Sequence, residues 1–289
     1  MINVFNNIDY LFTSYFSMAN FLNYWSSLAL FLLKNLYPLY AFSGEIFLMK
    51  LTQIAATCAL ATAATFTQAA PIWQDFSITG LYGEDYQLIA REDEQSTVTF
   101  EYAAKLQYGD FFAFADRTNN DVSGNETYFE VSPRLSLGAV SGQKLELGPI
   151  KDVLVATTWE GGEGFNNYLY GIGVDLAIPY FQYAQVNLYK VDNYKNTPDD
   201  YQMTLVYGVP FKVGSEDFLV DGFLDWSTAE EDGHASEMNW TTQWKWNVGK
   251  HISPNTRLYL GTEWSVWNNK YSIKGKDENN VSALIKYHF

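Results

Sequence analysis

The last residues of the chain read VSALIKYHF, positions 281–289. Val281, Ala283, Ile285, Tyr287 and Phe289 fall on one side at a period of two, and Ser282, Leu284, Lys286 and His288 on the other, which is the periodicity of a β-strand. A strand at the end of an open sheet presents an unpaired edge, and such edges promote aggregation unless they are covered or closed. A barrel in which this strand pairs with the first one leaves no edge.

Composition narrows the class. Of 289 residues, 47% are hydrophobic, 18% charged and 17% aromatic, including 21 Tyr, 20 Phe and 9 Trp. The formal net charge of -15 argues against nucleic acid as a partner, because phosphate binding needs clustered Lys and Arg. The one cysteine, Cys58, supports neither a disulfide framework nor a cysteine site.

Residues 49–71, MKLTQIAATCALATAATFTQAAP, have the anatomy of a secretory signal: Met and Lys, an apolar run of small residues, then Thr67-Gln68-Ala69. Cleavage after Ala69 is expected, so the mature protein begins at Ala70. Cys58 follows too short an apolar run, behind Thr57, to read as a lipoprotein site. Residues 1–48 precede the signal and are expected to be non-native upstream translation. The rival reading, an N-terminal anchor, meets Lys34, Asn35 and Pro38 inside its apolar part.

From Phe76 onward about twelve alternating segments are separated by Gly, Asn, Asp, Ser and Pro clusters, which predicts an all-β transmembrane antiparallel up-and-down barrel over 70–289. The expected strands are 76–83, 96–105, 110–117, 127–137, 151–160, 167–176, 183–191, 201–211, 218–227, 238–248, 256–266 and 280–289. Strands of about 9–11 residues suit a tilted crossing of the hydrocarbon layer. An even number places both ends of the chain on one side. Polar links at 84–95, 117–126, 227–236 and 267–280 are expected as long outer loops. Links at 107–109, 177–182 and 213–217 are expected as short turns, with 138–149 as the exception.

In TYFEVSPRLSL (127–137), Phe129, Val131, Pro133, Leu135 and Leu137 oppose Tyr128, Glu130, Ser132, Arg134 and Ser136. A soluble β-sandwich would alternate in the same way, with the apolar face in a core. The signal, the terminal Phe and aromatic residues near strand ends favour the barrel. Its ionic face then lines a lumen. Projection places there Glu101; Asp110, Phe112, Phe114 and Asp116; Tyr128, Glu130 and Arg134; and Asp175, Asn187, Tyr189, Asp221, Phe223, Asp225, Lys245, Arg257, Tyr259, Glu263 and Lys286. Inward Phe residues either fill a narrow barrel or form a track on which flat solutes stack. Glu130 and Arg134, two inward-facing positions apart on one face, are either a wall-holding ion pair or solute ligands.

The stretches WQDFSITGLYGEDY (73–86), FEYAAK (100–105), DFFAFADR (110–117), YFEVSPRLSL (128–137), LGPIKD (147–152), YGIGVDL (170–176) and DWS (225–227) resemble, in order, those of the Tsx nucleoside-specific channel family, which includes the OmpK phage-receptor porins. The resemblance implies a monomeric twelve-stranded barrel of the bacterial outer membrane. Its narrow lumen would bind nucleosides or related small solutes, with roles carried over to Glu101, Asp110, Phe112, Phe114, Asp116, Glu130 and Arg134. It also admits a phage as a partner at the loops. VSALIKYHF resembles the terminal signal by which such barrels meet the assembly machinery, with Tyr287 and Phe289 as its aromatic positions. The alternative function is a general porin or phage-binding receptor barrel without nucleoside selectivity. Catalysis is not expected, because His234, His251 and His288 are scattered and no Gly-x-Ser-x-Gly stretch occurs. No cofactor is expected, and no paired His or Cys spacing suggests a metal.

Overall fold

The computed structural model describes residues 70–195, 197–229 and 234–289. The readings made above for 1–48 and 49–69 lie outside them. Twelve strands follow one another in sequence: β1 Trp73–Gln87, β2 Glu92–Leu106, β3 Gly109–Asn120, β4 Gly124–Ser136, β5 Ile150–Gly162, β6 Phe165–Leu176, β7 Tyr183–Asp192, β8 Asp200–Val213, β9 Glu216–Ser227, β10 Met238–Asn247, β11 Arg257–Asn268 and β12 Glu278–His288. Each pairs antiparallel with the next, and β12 pairs with β1 to close the barrel.

The outward faces decide between barrel and sandwich. Ile172 is 60% exposed, Leu188 59%, Val281 56%, Ile285 51% and Trp244 52%, although all lie within strands. A sandwich would bury these side chains in a core. Here they form an apolar belt that only lipid can cover. The strand order thus turns alternation into two environments, hydrocarbon outside and a polar lumen within.

The seam forms as the terminal strand predicts. Ser77 to Tyr82 of β1 run against His288 to Ala283 of β12. The Phe289 N–H donates to the Phe76 carbonyl at 2.9 Å, and the two rings lie 5.4 Å apart. Tyr287 meets Phe289 edge to face at 4.9 Å. Beyond Tyr82 the side chains of β12 continue the seam: Asn280 Oδ1 accepts from the Asp85 N–H (3.2 Å) and Glu278 Oε2 from the Gln87 N–H (2.8 Å). Two backbone donors on β1 are thereby satisfied by side chains of β12.

The connections differ from expectation at several places. Segments 84–95 and 117–126 are mostly strand, because β1 and β2 are joined by 88–91 and β3 and β4 by 121–123. Their polarity marks where the hairpins leave the hydrocarbon layer, while pairing continues into water: Gln87 still faces Glu92, and Asn120 faces Gly124. The β5–β6 link is only 163–164, so long outer loops are confined to 193–199, 228–237 and 269–277. On the end that carries both described termini, the link 137–149 contains a short helix, α1, Leu137–Ser141. Ser136 Oγ caps it by accepting from the Ala139 N–H at 2.9 Å. Gly142 ends it in the left-handed region, at φ 67°. Below, the end carrying Phe289 is the inner end and the opposite one the outer end.

Candidate functional site: the lumenal wall

Strand parity fixes which side chains face the lumen. Along β3 and β4 the inward rungs, from inner to outer end, are Asp110 with Arg134, Phe112 with Ser132, Phe114 with Glu130 and Asp116 with Tyr128. This hairpin carries most of the residues singled out in the sequence, and the register lays them out as a ladder with distinct chemistry at each level.

The innermost rung is an ionic knot. Arg134 donates through Nε to Asp110 Oδ1 (2.7 Å), and through Nη2 to Asp110 Oδ2 (2.8 Å) and Asp175 Oδ1 (2.9 Å). Its Nη1 reaches Asn187 Oδ1 at 3.3 Å. The side chain is only 5% exposed. The guanidinium fork matches the carboxylate plane, which makes the pair both strong and directional. Strands β3, β4, β6 and β7 are thus joined across the interior. Arg134 does not pair with Glu130, which removes the ion-pair alternative for those two residues: Glu130 accepts from the Tyr128 hydroxyl at 2.6 Å.

Two further cations sit in the same kind of arrangement. Lys245, with no exposed side-chain surface, donates to Asp221 Oδ2 (2.7 Å) and Gln243 Oε1 (3.1 Å). Gln243 passes its amide N–H to Glu263 at 2.8 Å. Lys286 of β12 reaches over β1 to Glu101 of β2, whose Oε2 also accepts from Ser77 (3.2 Å) and Thr79 (3.3 Å). Each of these buried cations is therefore spent on a carboxylate of the wall.

Toward the outer end the wall changes. Phe112 and Phe114 have ring centroids 6.0 Å apart, Phe114 and Tyr128 5.7 Å, and Tyr128 and Phe165 of β6 6.0 Å, the last pair nearly parallel at 22°. Phe112 shares the inward parity yet is 38% exposed, so open space lies beside it in the lumen. Carboxylates border this aromatic run. Glu130 stands directly across from Glu160 of β5, which accepts from Asn167 at 3.2 Å. Asp116 accepts from the Thr99 hydroxyl (2.6 Å) and Asp225 from that of Thr204 (2.5 Å). Phe223 faces inward on β9 between Val206 and Thr241, away from the run on β3, β4 and β6.

Phe165, Glu160 and Asn167 were not singled out in the sequence. The expected fifth strand stopped at 160 and the sixth began at 167, which left Phe165 in a turn. The signal was present: Leu154, Ala156, Thr158 and Glu160 continue one parity, and the β5–β6 hairpin is tight enough to keep Gly162 opposite Phe165.

An apolar outer belt, a closed antiparallel sheet and an ionic, partly open interior define an outer-membrane β-barrel of the channel type. The family model described as "Nucleoside-specific channel-forming protein, Tsx" matches residues 72–287, and the chain belongs to that family. Outer membrane protein OmpK of Vibrio parahaemolyticus is 27% identical over 178 residues, covering 57% of this chain, and the chain spans 66% of that relative's length. The nucleoside-specific channel-forming protein Tsx of Klebsiella aerogenes is 24% identical over 266 residues, covering 78% of this chain and 86% of its own. Among solved structures, the KdgM porin aligns with a TM-score of 0.45 at 9% identity, over 74% of this chain and 99% of its own.

Proposed function

We propose that the barrel is a passive channel for nucleosides and related flat, polar solutes, which slide along the aromatic run of the outer lumen. The observation that carries this reading is the succession Phe112, Phe114, Tyr128 and Phe165 on one strip of wall, with Glu130, Glu160 and Asp116 on its borders. A base has two π-faces and a hydrogen-bonding edge, and a ribose carries hydroxyl donors. Stacking on an aromatic ring is worth ~1–3 kcal/mol per base, and carboxylates accept from the donors. In this reading Glu101, Asp110, Arg134, Asp175 and Asp221 shape the inner lumen through their ion pairs, while Asp225 and Phe223 act from the opposite wall. The names of the relatives, nucleoside-specific channels among them, agree with this solute class.

The same proposal covers processing: residues 49–69 are a cleaved signal, residues 1–48 are not part of the exported protein, and the chain works as a monomer from Ala70. Liposome-swelling rates with nucleosides and with sugars of similar size test the transport reading. Faster entry of nucleosides supports it. Equal entry would reduce the protein to a general porin or a surface scaffold.

A further inference from the structure

The outer mouth is covered unevenly. Above the aromatic run the hairpins are short, 121–123 between β3 and β4 and 163–164 between β5 and β6. Across the ring, the β11–β12 loop, 269–277, turns back into the barrel. Its Lys270 donates to Glu278, whose Oε1 accepts from Ser265 Oγ at 3.1 Å. The ammonium lies 4.6 Å from the ring centre of Trp267, 5.3 Å from that of Tyr271 and 5.9 Å from that of Tyr86. Trp267 and Ser265 share the lumen-facing parity of β11, and Glu278 stands opposite Trp267, so the lysine is held inside the mouth. Its side chain is 5% exposed. An ammonium among aromatic faces gains most when it is desolvated, and losing one partner of a buried ion pair is costly.

The rest of the loop is fastened as closely. Glu237 accepts from the Tyr271 N–H (3.1 Å), the Ser272 N–H (2.8 Å) and the Ser272 hydroxyl (2.9 Å), and also from the Trp267 indole. Lys276 donates to the Ile89 carbonyl at 2.8 Å, which ties the loop to the β1–β2 link. Asn269, Tyr271 and Ser272 have φ of 51°, 62° and 57°. Non-glycine residues hold such left-handed values only where their surroundings over-determine them. Glu126, on the outer end of β4, bears electrostatically on Tyr271, so the loop leans toward that strand.

We infer that the β11–β12 loop is a fixed strap over the mouth, latched by Lys270, and that it steers entering solutes to the uncovered side, onto the aromatic run. The steering role rests on the transport reading above; the latch does not. Lys270 is then a positioning residue for selectivity, since it touches the strap and the wall and never the solute. Without the strap, solutes would enter over β10 to β1 as well and bypass Phe114, Tyr128 and Phe165.

A thiol placed under the latch tests the strap. Ser265 is inward and buried, so Ser265→Cys in a Cys58→Ser background should react slowly with N-ethylmaleimide added from outside. Lys270→Met, which keeps the length of the side chain and removes its charge, should speed the reaction severalfold. Glu237→Ala frees the strap from a loop outside the barrel wall and should do the same even if Lys270→Met fails to assemble. Lys144→Met, at an exposed inner-end lysine, should leave the rate unchanged. Heat-modifiable gel migration checks folding. Rapid labelling with the latch intact, or equal rates in the latch variants, overturns the inference. A bismaleimide link between Ile89→Cys and Lys276→Cys pins the strap, and KCl conductance in planar bilayers should survive it. Failure of the link to form, or loss of conductance once it has formed, also overturns the inference. In liposome swelling, Lys270→Met should lower the ratio of nucleoside to sugar entry severalfold, and an unchanged ratio removes the steering role. The thiol and conductance measurements use no nucleoside. Equal entry of nucleosides and sugars in the wild type would therefore sink the transport reading and leave the strap, whereas an unprotected Ser265→Cys would sink the strap and leave the transport reading.

Discussion

His288 Nδ1 lies 2.6 Å from Asp75 Oδ2, which ties the end of the last strand to the start of the first. Asp75 is shared: its Oδ1 accepts from Arg257 Nη1 at 2.6 Å, and Arg257 Nη2 in turn donates to the Phe289 carbonyl at 2.5 Å. Three strands and the terminal residue meet in one network at the closing seam. Asp75→Ala should loosen the seam by about 1.5–3 kcal/mol, the range for hydrogen bonds to charged groups, with Arg257's 42% exposure placing it toward the low end. Urea titration followed by tryptophan fluorescence in detergent gives the number. An unchanged midpoint would mean that the network forms without holding the seam.

Phe289 completes the same closure through its backbone N–H and its ring on Phe76. Its deletion, or Phe289→Asp, should leave synthesis and export intact but deplete the folded, heat-modifiable band in outer-membrane fractions. Charge on the lipid face of a barrel costs up to ~2–4 kcal/mol at the midplane and less near the interface. The Asp variant is therefore expected to be no better than the deletion. Normal folded levels in both would show that the terminal aromatic is dispensable for assembly.

Arg134 offers a sharper contrast between variants. Arg134→Ala leaves Asp110 and Asp175 facing each other without their cation, and removing one partner of a buried pair costs ~3–5 kcal/mol. Arg134→Lys keeps the charge but loses the two-pronged bond to Asp110, so its loss of stability should fall between Ala and wild type. Urea midpoints of the three proteins decide the order. Equal loss in Lys and Ala would assign the whole effect to geometry, and no loss in Ala would remove the knot as a wall element.

The partner of Arg134 illustrates what the sequence could and could not reveal. Alternation in 127–137 correctly puts Arg134 and Glu130 on one face, because lipid on one side and a polar lumen on the other force a period of two. Residues on one strand separated by four positions lie ~13 Å apart at about 3.3 Å per residue, whereas directly opposed residues on neighbouring strands have Cβ atoms ~4.5–5.5 Å apart. Asp110 is the cross-strand neighbour, and only register shows it. Register also decides that Glu130 meets Glu160. The hairpin lengths were hidden for another reason: the polar runs 84–95 and 117–126 record the exit from lipid, and ladder bonds continue in water without an apolar signature. Helix α1 is too short for any periodicity to announce it.

The aromatic run yields the prediction that most directly separates a solute track from a packed wall. Phe112 and Phe114 share the lumen-facing side of β3 with Asp110 and Asp116, and their rings contact each other and, through Phe114, Tyr128. If bases stack on these rings, replacing both with Ala widens the passage yet removes binding, at ~1–3 kcal/mol per lost stacking contact. Nucleoside flux at micromolar concentration should then fall, because occupancy limits transport there, while flux at millimolar concentration rises with the wider bore. Sugars of similar size, which do not stack in this way, should pass faster at both concentrations. A space-filling role gives a different pattern, in which nucleosides and sugars accelerate alike at every concentration because only an obstruction has been removed. Radiolabelled flux of both solute classes into liposomes containing wild type or the Phe112→Ala, Phe114→Ala variant distinguishes the two, and uniform acceleration would end the case for a stacking track.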